Sequence, residues 1–522
     1  ITNISGGYVQ AIDLEGPTPN AVVSGNTIDN LTSLVPNSTV GVYLSQYNDV
    51  ANTITMHNNK FTGMRYGVVN AYSSGIAIAT MNWWGDATGP FHATTNLDGL
   101  GCYVSDNVTF DPWYANVAMT QMDSNAPVEN VTQNTFYNTI QAAVNAANTG
   151  DLINIGAGTY AENVVVNTRL TLQGAGSDQT IITSTGTVLA LGAGTDATNR
   201  MVIRNLKVTG GTTGISVSSY TTLENVFSLS NTTYGISLNP LTDLVITDCS
   251  FSNNTSGVGL RLSTGTPASN ITITGSHFDY NSQGWYSESN KTILPALDNV
   301  NITNTTFNYN GKKGIYTDRL SNSTFDNISV IGSGCESNYA PGAGIDLNLK
   351  YQNFSNVTIK NSTISGCGVG NTNGVGLTIK ARDDGSYASP QATLNNVIID
   401  NVLFNGNKTG LTFGEPGQNN AGPTGVEIKN CTFNDLEMDI NNFSTSEKDA
   451  MLNNTYTGAI DNFAIESRIY HKVDNSTKGM VNWIADTVYV PVTNTIQAAI
   501  VAATPGDEIV VAPGTYLESV TI

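Results

Sequence analysis

Residues 301–315 read NITNTTFNYNGKKGI. Apolar and polar residues alternate, the chain breaks at Asn and Gly, and a second short apolar run begins. Near-copies recur as ITDCSFSNNTSGVGL from Ile246, VTIKNSTISGCGVG from Val357, IIDNVLFNGNKTGL from Ile398 and VEIKNCTFNDLEMDI from Val426. Aligned, they put Leu229, Phe251, Phe278, Phe307, Val330, Ile364, Phe404 and Phe433 in one column. Three residues earlier stands a second column of Asp248, Asn304, Asn327, Asn361, Asn401 and Asn430. The copies are spaced by about 22 to about 40 residues, the repeat range of solenoids.

Each copy holds strands too short to bury a core alone. Stacked at about 4.8 Å, equivalent residues lie over one another and every strand pairs with the coil above and below. The Phe/Leu/Ile/Val column becomes an internal stack. The Asn column falls where the chain must turn, because Asn tolerates the left-handed region and its amide can bond the next amide in a ladder. The expected fold is all-β, a parallel β-helix solenoid in tandem domains, each opened by a short amphipathic helix.

Composition narrows the function. Lys and Arg number 21 against 41 Asp and Glu, a formal net charge of −20. Such acidity excludes a nucleic-acid partner, which needs a basic footprint. It suits an extracellular protein, and Ca²⁺ is the one cofactor it suggests, although no ligand loop of recognisable spacing is present. No apolar run is long enough to span a membrane. The five cysteines are few and odd in number. Cys249 and Cys431 fall on the inward face as packed thiols, while Cys335 and Cys367 lie near the turns of neighbouring coils and could be bridged. Roughly twenty Asn-x-Ser/Thr sequons suggest a glycoprotein. Those on the Asn ladder are expected to be buried, which leaves Asn37, Asn107, Asn290 and Asn475 as the glycan candidates.

Along the chain, residues 1–117 read as the C-terminal part of one β-helix. Its end, MNWWGDATGPFHATTNLDGLGCYVSDNVTFDPWY from Met81, breaks the coil rhythm with adjacent Trp, Gly-Pro and Pro-Trp. Aromatics folded over an open end would cover its last apolar layer, and a Trp-lined sugar site is the rival reading. A linker is expected over 118–134, then a complete β-helix over 135–493 with a closing module at 456–493. The segment NTIQAAVNAANTGD opens it, with Ile140, Ala143, Val144 and Ala147 on one helical face. At 494–522 the same opening returns as NTIQAAIVAATPGDEIVVAPGTYLESVTI, with Ile496, Ala499, Ile500 and Ala503 as its face.

The paired segments TIQAAVNAANTGD…GAGTYAE and TIQAAIVAATPGDEIVVAPGTYLE resemble the opening of right-handed parallel β-helix domains of the pectin-lyase-like superfamily. The NWWG…GP…VSDNVTFDPW run resembles a closing segment found in that superfamily's tandem surface proteins of bacteria and archaea. The resemblance implies the fold. It leaves function open, since the fold serves lyases, hydrolases, adhesins and surface coats alike.

Hydrolases of this kind use clustered aspartates with Gly-His-Gly and Arg-Ile-Lys, and His57, His92, His277 and His471 sit in none of those contexts. Lyase chemistry would need carboxylates holding Ca²⁺ and an Arg or Lys base on one outer face. The nearest constellation is Arg261, Asp318, Asp346 and Lys380, with Asp383 and Asp384 in a polar excursion, KARDDGSYASPQ. These charges are expected to be solvated surface, so the chain reads as a non-enzyme. An adhesin for cell-surface glycans would use Tyr286 and Tyr316, exposed on neighbouring coils. The leading expectation is a structural protein of a surface layer (S-layer), sheath or filament whose partner is itself, head to tail through the β-helix ends.

Overall fold

The computed structural model describes residues 1–50, 53–254, 256–262, 266–289, 291 and 297–522. The chain divides into two compact units, Ile1–Thr139 and Ile140–Ile522. Both are coiled.

In the second unit a long parallel sheet runs coil by coil from Leu152–Ile155 to Val481–Asn482. A second sheet of twelve strands runs from Val164–Val166 to Ile469–Tyr470. A third, of five short strands, joins Ser329–Ile331, Thr363–Ser365, Leu403–Asn405, Thr432–Asn434 and Thr455–Tyr456. Equivalent residues stay in register, as in Val330↔Ile364, Ile364↔Phe404 and Phe404↔Phe433. Phe251, Phe278 and Phe307 stack at 5.2 and 5.1 Å between ring centroids, and Phe404 stacks on Phe433 at 5.0 Å. All are buried. The first residue of the expected column is corrected: Phe227 pairs with Ser250, so Ser228 stands over Phe251 and Leu229 lies one place further on. One residue changes the face a side chain takes.

The Asn column turns the corner as its chemistry requires. Asp248, Asn304, Asn327, Asn361, Asn401 and Asn430 all have φ between 51° and 54°. Asn327 donates its amide to Asn304 Oδ1 at 2.7 Å, and Asn401 to Asn361 Oδ1 at 2.9 Å. Contrary to expectation these five asparagines are exposed, because the corner projects outward. The buried ladder is a different one, three residues after the Phe column. Asn231 N–H bonds Asn254 Oδ1, Asn254 N–H bonds Asn281 Oδ1, and Asn281 N–H bonds Asn310 Oδ1, at 2.9, 2.9 and 3.0 Å.

Helix α1 (Ile140–Ala146) buries Ile140, Ala143 and Val144, the face its spacing predicts. Helix α2 (Asn462–Glu466) lies in the stretch expected to close the β-helix, and α3 (Ile496–Ala502) repeats α1. The strand after α3, Glu508–Val511, pairs in parallel with Thr487–Val490.

The first unit has its own core, in which Trp84 stacks on Phe61 at 5.0 Å. Trp84 and Trp113 are buried, so neither offers an open ring face as a sugar platform would. The stretch expected as a linker carries strands: Met122–Asp123 pairs antiparallel with Trp113–Tyr114, and Val128–Asn130 with Thr135–Tyr137. All five cysteines are free thiols. Cys335 and Cys367 are not bridged, since their sulfurs turn to the carbonyls of Gly366 (3.4 Å) and Val330 (3.3 Å).

Candidate functional site

The outward face of the second sheet carries one continuous column: Arg261, Tyr286, Tyr316, Asp346, Thr378, Thr412 and Asn441. Lys313 stands three residues before Tyr316 on its strand, and Lys380 follows Thr378 by two. Period-two alternation aims the column and Lys380 away from the core, whereas Lys313, at an odd offset from Tyr316, is brought to the cluster by its ion pair with Asp346. They are nevertheless enclosed: Lys313, Tyr316, Asp346, Thr378 and Lys380 are each under a tenth exposed. Loops cover what the strands alone would leave open.

Tyr286 and Tyr316, expected to be exposed, stack on each other at 5.1 Å inside this cover. The Arg261 guanidinium lies 4.5 Å from the Tyr286 ring centre, and its Nη2 is 3.4 Å from Glu288. Asp346 is held between Lys313 and Lys380, the latter at 3.5 Å. Burial alone would raise its pKa, but the two ammonium groups outweigh that and hold it at about 2. Lys380 also reaches Glu415 at 3.1 Å. Asp318 pairs with Lys350 at 3.6 Å, and burial, only partly offset by that lysine, lifts its pKa to about 6.

The four residues singled out from sequence therefore share one face, and Asp346 and Lys380 touch. Asp383 and Asp384 do not join them. Both carboxylates accept from the Asn420 amide at 2.7 Å and tie the excursion to a neighbouring turn. Lys313, Glu415, Thr378 and Thr412 were missed. Lys313 stands two residues before inward Ile315, so the alternation gives no sign that it reaches this face, and a lone threonine carries no signal either.

Below this charged cluster the face opens into a cleft of about 370 Å³. Thr378, Lys380, Thr412, Glu415 and Asn441 line it. The Thr378 hydroxyl and the Asn441 side-chain carbonyl are buried without a hydrogen-bond partner among the described residues. Such groups suit a ligand that can both donate and accept. Among the described residues no group of three or more His, Cys, Asp or Glu is placed to hold a metal ion.

Of the glycan candidates, Asn37 and Asn107 are exposed at turns with φ of 61° and 59°, and Asn475 is half-buried. Asn290 lies outside the described residues. No helix among the described residues is long and apolar enough to cross a membrane.

Residues 123–295 match the family described as the right handed beta helix region. That stretch is a right-handed β-helix region. No curated protein matches the sequence of the chain. Among solved structures it is similar to the A-module of Azotobacter vinelandii mannuronan C-5 epimerase AlgE4, at 15% identity and a TM-score of 0.38, over 61% of this chain and 90% of that one. The corresponding module of AlgE6 gives 14% and 0.38, over 72% and 95%. A surface adhesin of Streptococcus pneumoniae, PfbA, gives 13% and 0.33, over 61% and 84%. Identities this low show the fold alone.

The expectation of a non-enzyme is corrected here. Besides the epimerases, the solved structures the chain is similar to include α-1,3-glucanases and a capsular polysaccharide depolymerase. The charges expected to be solvated are also buried and paired.

Proposed function

We propose that this β-helix works outside the cell, holding a polysaccharide in the cleft beside Lys380 and acting on it. One observation carries the reading: two unpartnered polar groups, Thr378 Oγ1 and Asn441 Oδ1, beside an ion-paired lysine in a cleft large enough for sugar rings. Hydroxyl-rich ligands satisfy such groups, and Met438 and Phe443 in the same lining offer apolar surface to a ring face. Lys380 is kept charged by Asp346 and Glu415 despite its burial, so it supplies a fixed positive field for a carboxylate or a developing oxyanion. Glu415, at the cleft wall, offers its carboxylate as an acceptor for a sugar hydroxyl.

The expectation of a layer or filament subunit rests on composition and repeats, whereas the cleft is a specific feature, and the glycan reading is preferred on that ground. The test is to incubate the intact chain with polygalacturonate, alginate and xylan, reading binding by calorimetry and product by new chain ends. Binding should occur with at least one polymer and weaken by about tenfold or more in Thr378→Val and Lys380→Met. Binding without product would point to a carbohydrate-binding adhesin. Binding unchanged in both variants, or none at all, sinks the proposal.

A further inference from the structure

The wall of the cleft is built from two loops of one design. The chain leaves the coil at Gly334 and returns at Gly342, and a Cβ on Gly342 would lie 1.9 Å from the Gly334 carbonyl oxygen. The two ends of the loop therefore touch, and Gly334 takes a φ of +78°. The next coil repeats the neck with Gly368, φ +68°, and Gly374, whose Cβ would lie 1.8 Å from the Gly368 oxygen. Only glycine fits such an approach.

One side chain ties the loops together. Asn371, buried in the second loop, donates its amide to the carbonyl oxygens of Glu336 (3.1 Å) and Tyr339 in the first. Lys408 holds the second loop from below, donating to Asn371 O at 2.8 Å and Thr372 O at 2.9 Å. The first loop is thin: Glu336, Ser337, Asn338 and Ala340 are exposed. Its Tyr339 ring lies 5.3 Å from Lys312 Nζ and 5.7 Å from Lys313 Nζ. What it covers is not a core. Beneath it are the Lys313–Asp346 ion pair and Tyr316, and nearby the buried Asp318 Oδ1 has no hydrogen-bond partner among the described residues.

We infer that the two glycine-necked loops form a single hinged cover latched by Asn371, and that Lys313, Tyr316 and Asp346 beneath it are a second sugar subsite continuous with the open cleft. A hydroxylated ring laid beside Tyr316 would meet the Lys313 ammonium and the Asp346 carboxylate. The ligand's identity rests on the glycan reading above; the hinge does not.

The experiment is acetylation of the folded intact chain with an N-hydroxysuccinimide acetate, followed at each lysine by mass spectrometry. Lys448, fully buried elsewhere, is the internal control. Asn371→Ala should speed modification of Lys313 by about tenfold and leave Lys448 unchanged. Tyr339→Ala, a change at the exposed loop, should do the same should the first variant fold poorly. If Lys313 and Lys448 move together, or neither moves, the hinge is wrong. Repeating the acetylation with polygalacturonate, alginate and xylan tests the subsite. Protection of Lys313 together with Lys380 supports it, and protection of Lys380 alone overturns it. Protection of neither lysine counts against the glycan reading and the subsite with it, while the hinge is still judged by the kinetics.

Discussion

Two kinds of asparagine do different work in neighbouring positions. Asn304 sits in the left-handed region at an exposed corner, where a Cβ-bearing residue without a short polar arm costs about 1 kcal/mol. Asn281 is buried; it accepts from the Asn254 backbone and side chain and donates to Phe251 O at 3.1 Å. Asn304→Gly should leave stability nearly unchanged, whereas Asn281→Ala strands buried donors and should cost about 2–4 kcal/mol, read by hydrogen exchange in the adjoining coils. The outer ladder was legible because turns demand Asn or Gly. The inner one was hidden, since a chain this rich in Asn offers candidates at every offset. Its far end holds Asp435, whose Oδ1 accepts both the Asn407 N–H (3.0 Å) and amide (2.8 Å). Burial raises its pKa from 3.8 to about 7 despite those bonds. The folded state then holds a proton that the unfolded chain has released, so stability from this group is full below about pH 4 and is lost as pH rises through 7. Asp435→Asn, which keeps the acceptor and cannot ionise, should flatten that slope and raise the melting temperature at pH 8.

The opening helices show how an element is fixed by a residue far along the chain. The Glu162 carboxylate accepts from the N–H groups of Ile140 and Gln141, both at 3.0 Å, and the Glu518 carboxylate accepts from those of Ile496 and Gln497 at 2.8 and 3.0 Å. Each acid thus meets the free donors and positive end of its helix. The repeated TIQAA…GTYxE segments announced the helices but not this bond, because capping is usually sought within the first turn. Glu162→Ala should fray α1, costing about 1–2 kcal/mol and raising amide exchange at Ile140 and Gln141, while exchange in distant coils stays constant. The strands at 122–137 escaped notice for a related reason: their antiparallel pairs are two or three residues long, below the length at which alternation can be read.

At the scale of the molecule, the fold was legible because one column of apolar residues repeats, and stacking is the arrangement that hides it from water. The cleft was not legible. Outward columns follow from the alternation, but whether they are solvated depends on loops such as 334–342, whose path is set by tertiary contacts. The same column sets how the second unit should fail. The column holds two aromatic stacks, Phe251–Phe278–Phe307 and Phe404–Phe433–Tyr456, separated by the aliphatic Val330 and Ile364. Each coil contacts chiefly its neighbours, so stability is a sum of local terms. Phe307→Ala removes a buried ring between Phe278 and Val330 and should cost about 3–5 kcal/mol. Native-state hydrogen exchange should then show protection lost in the coils carrying Phe278, residue 307 and Val330, while strands at Leu403–Asn405 and Thr432–Asn434 keep theirs. Equal loss in both stacks would mean that the unit unfolds as one body and that coils are coupled well beyond their neighbours.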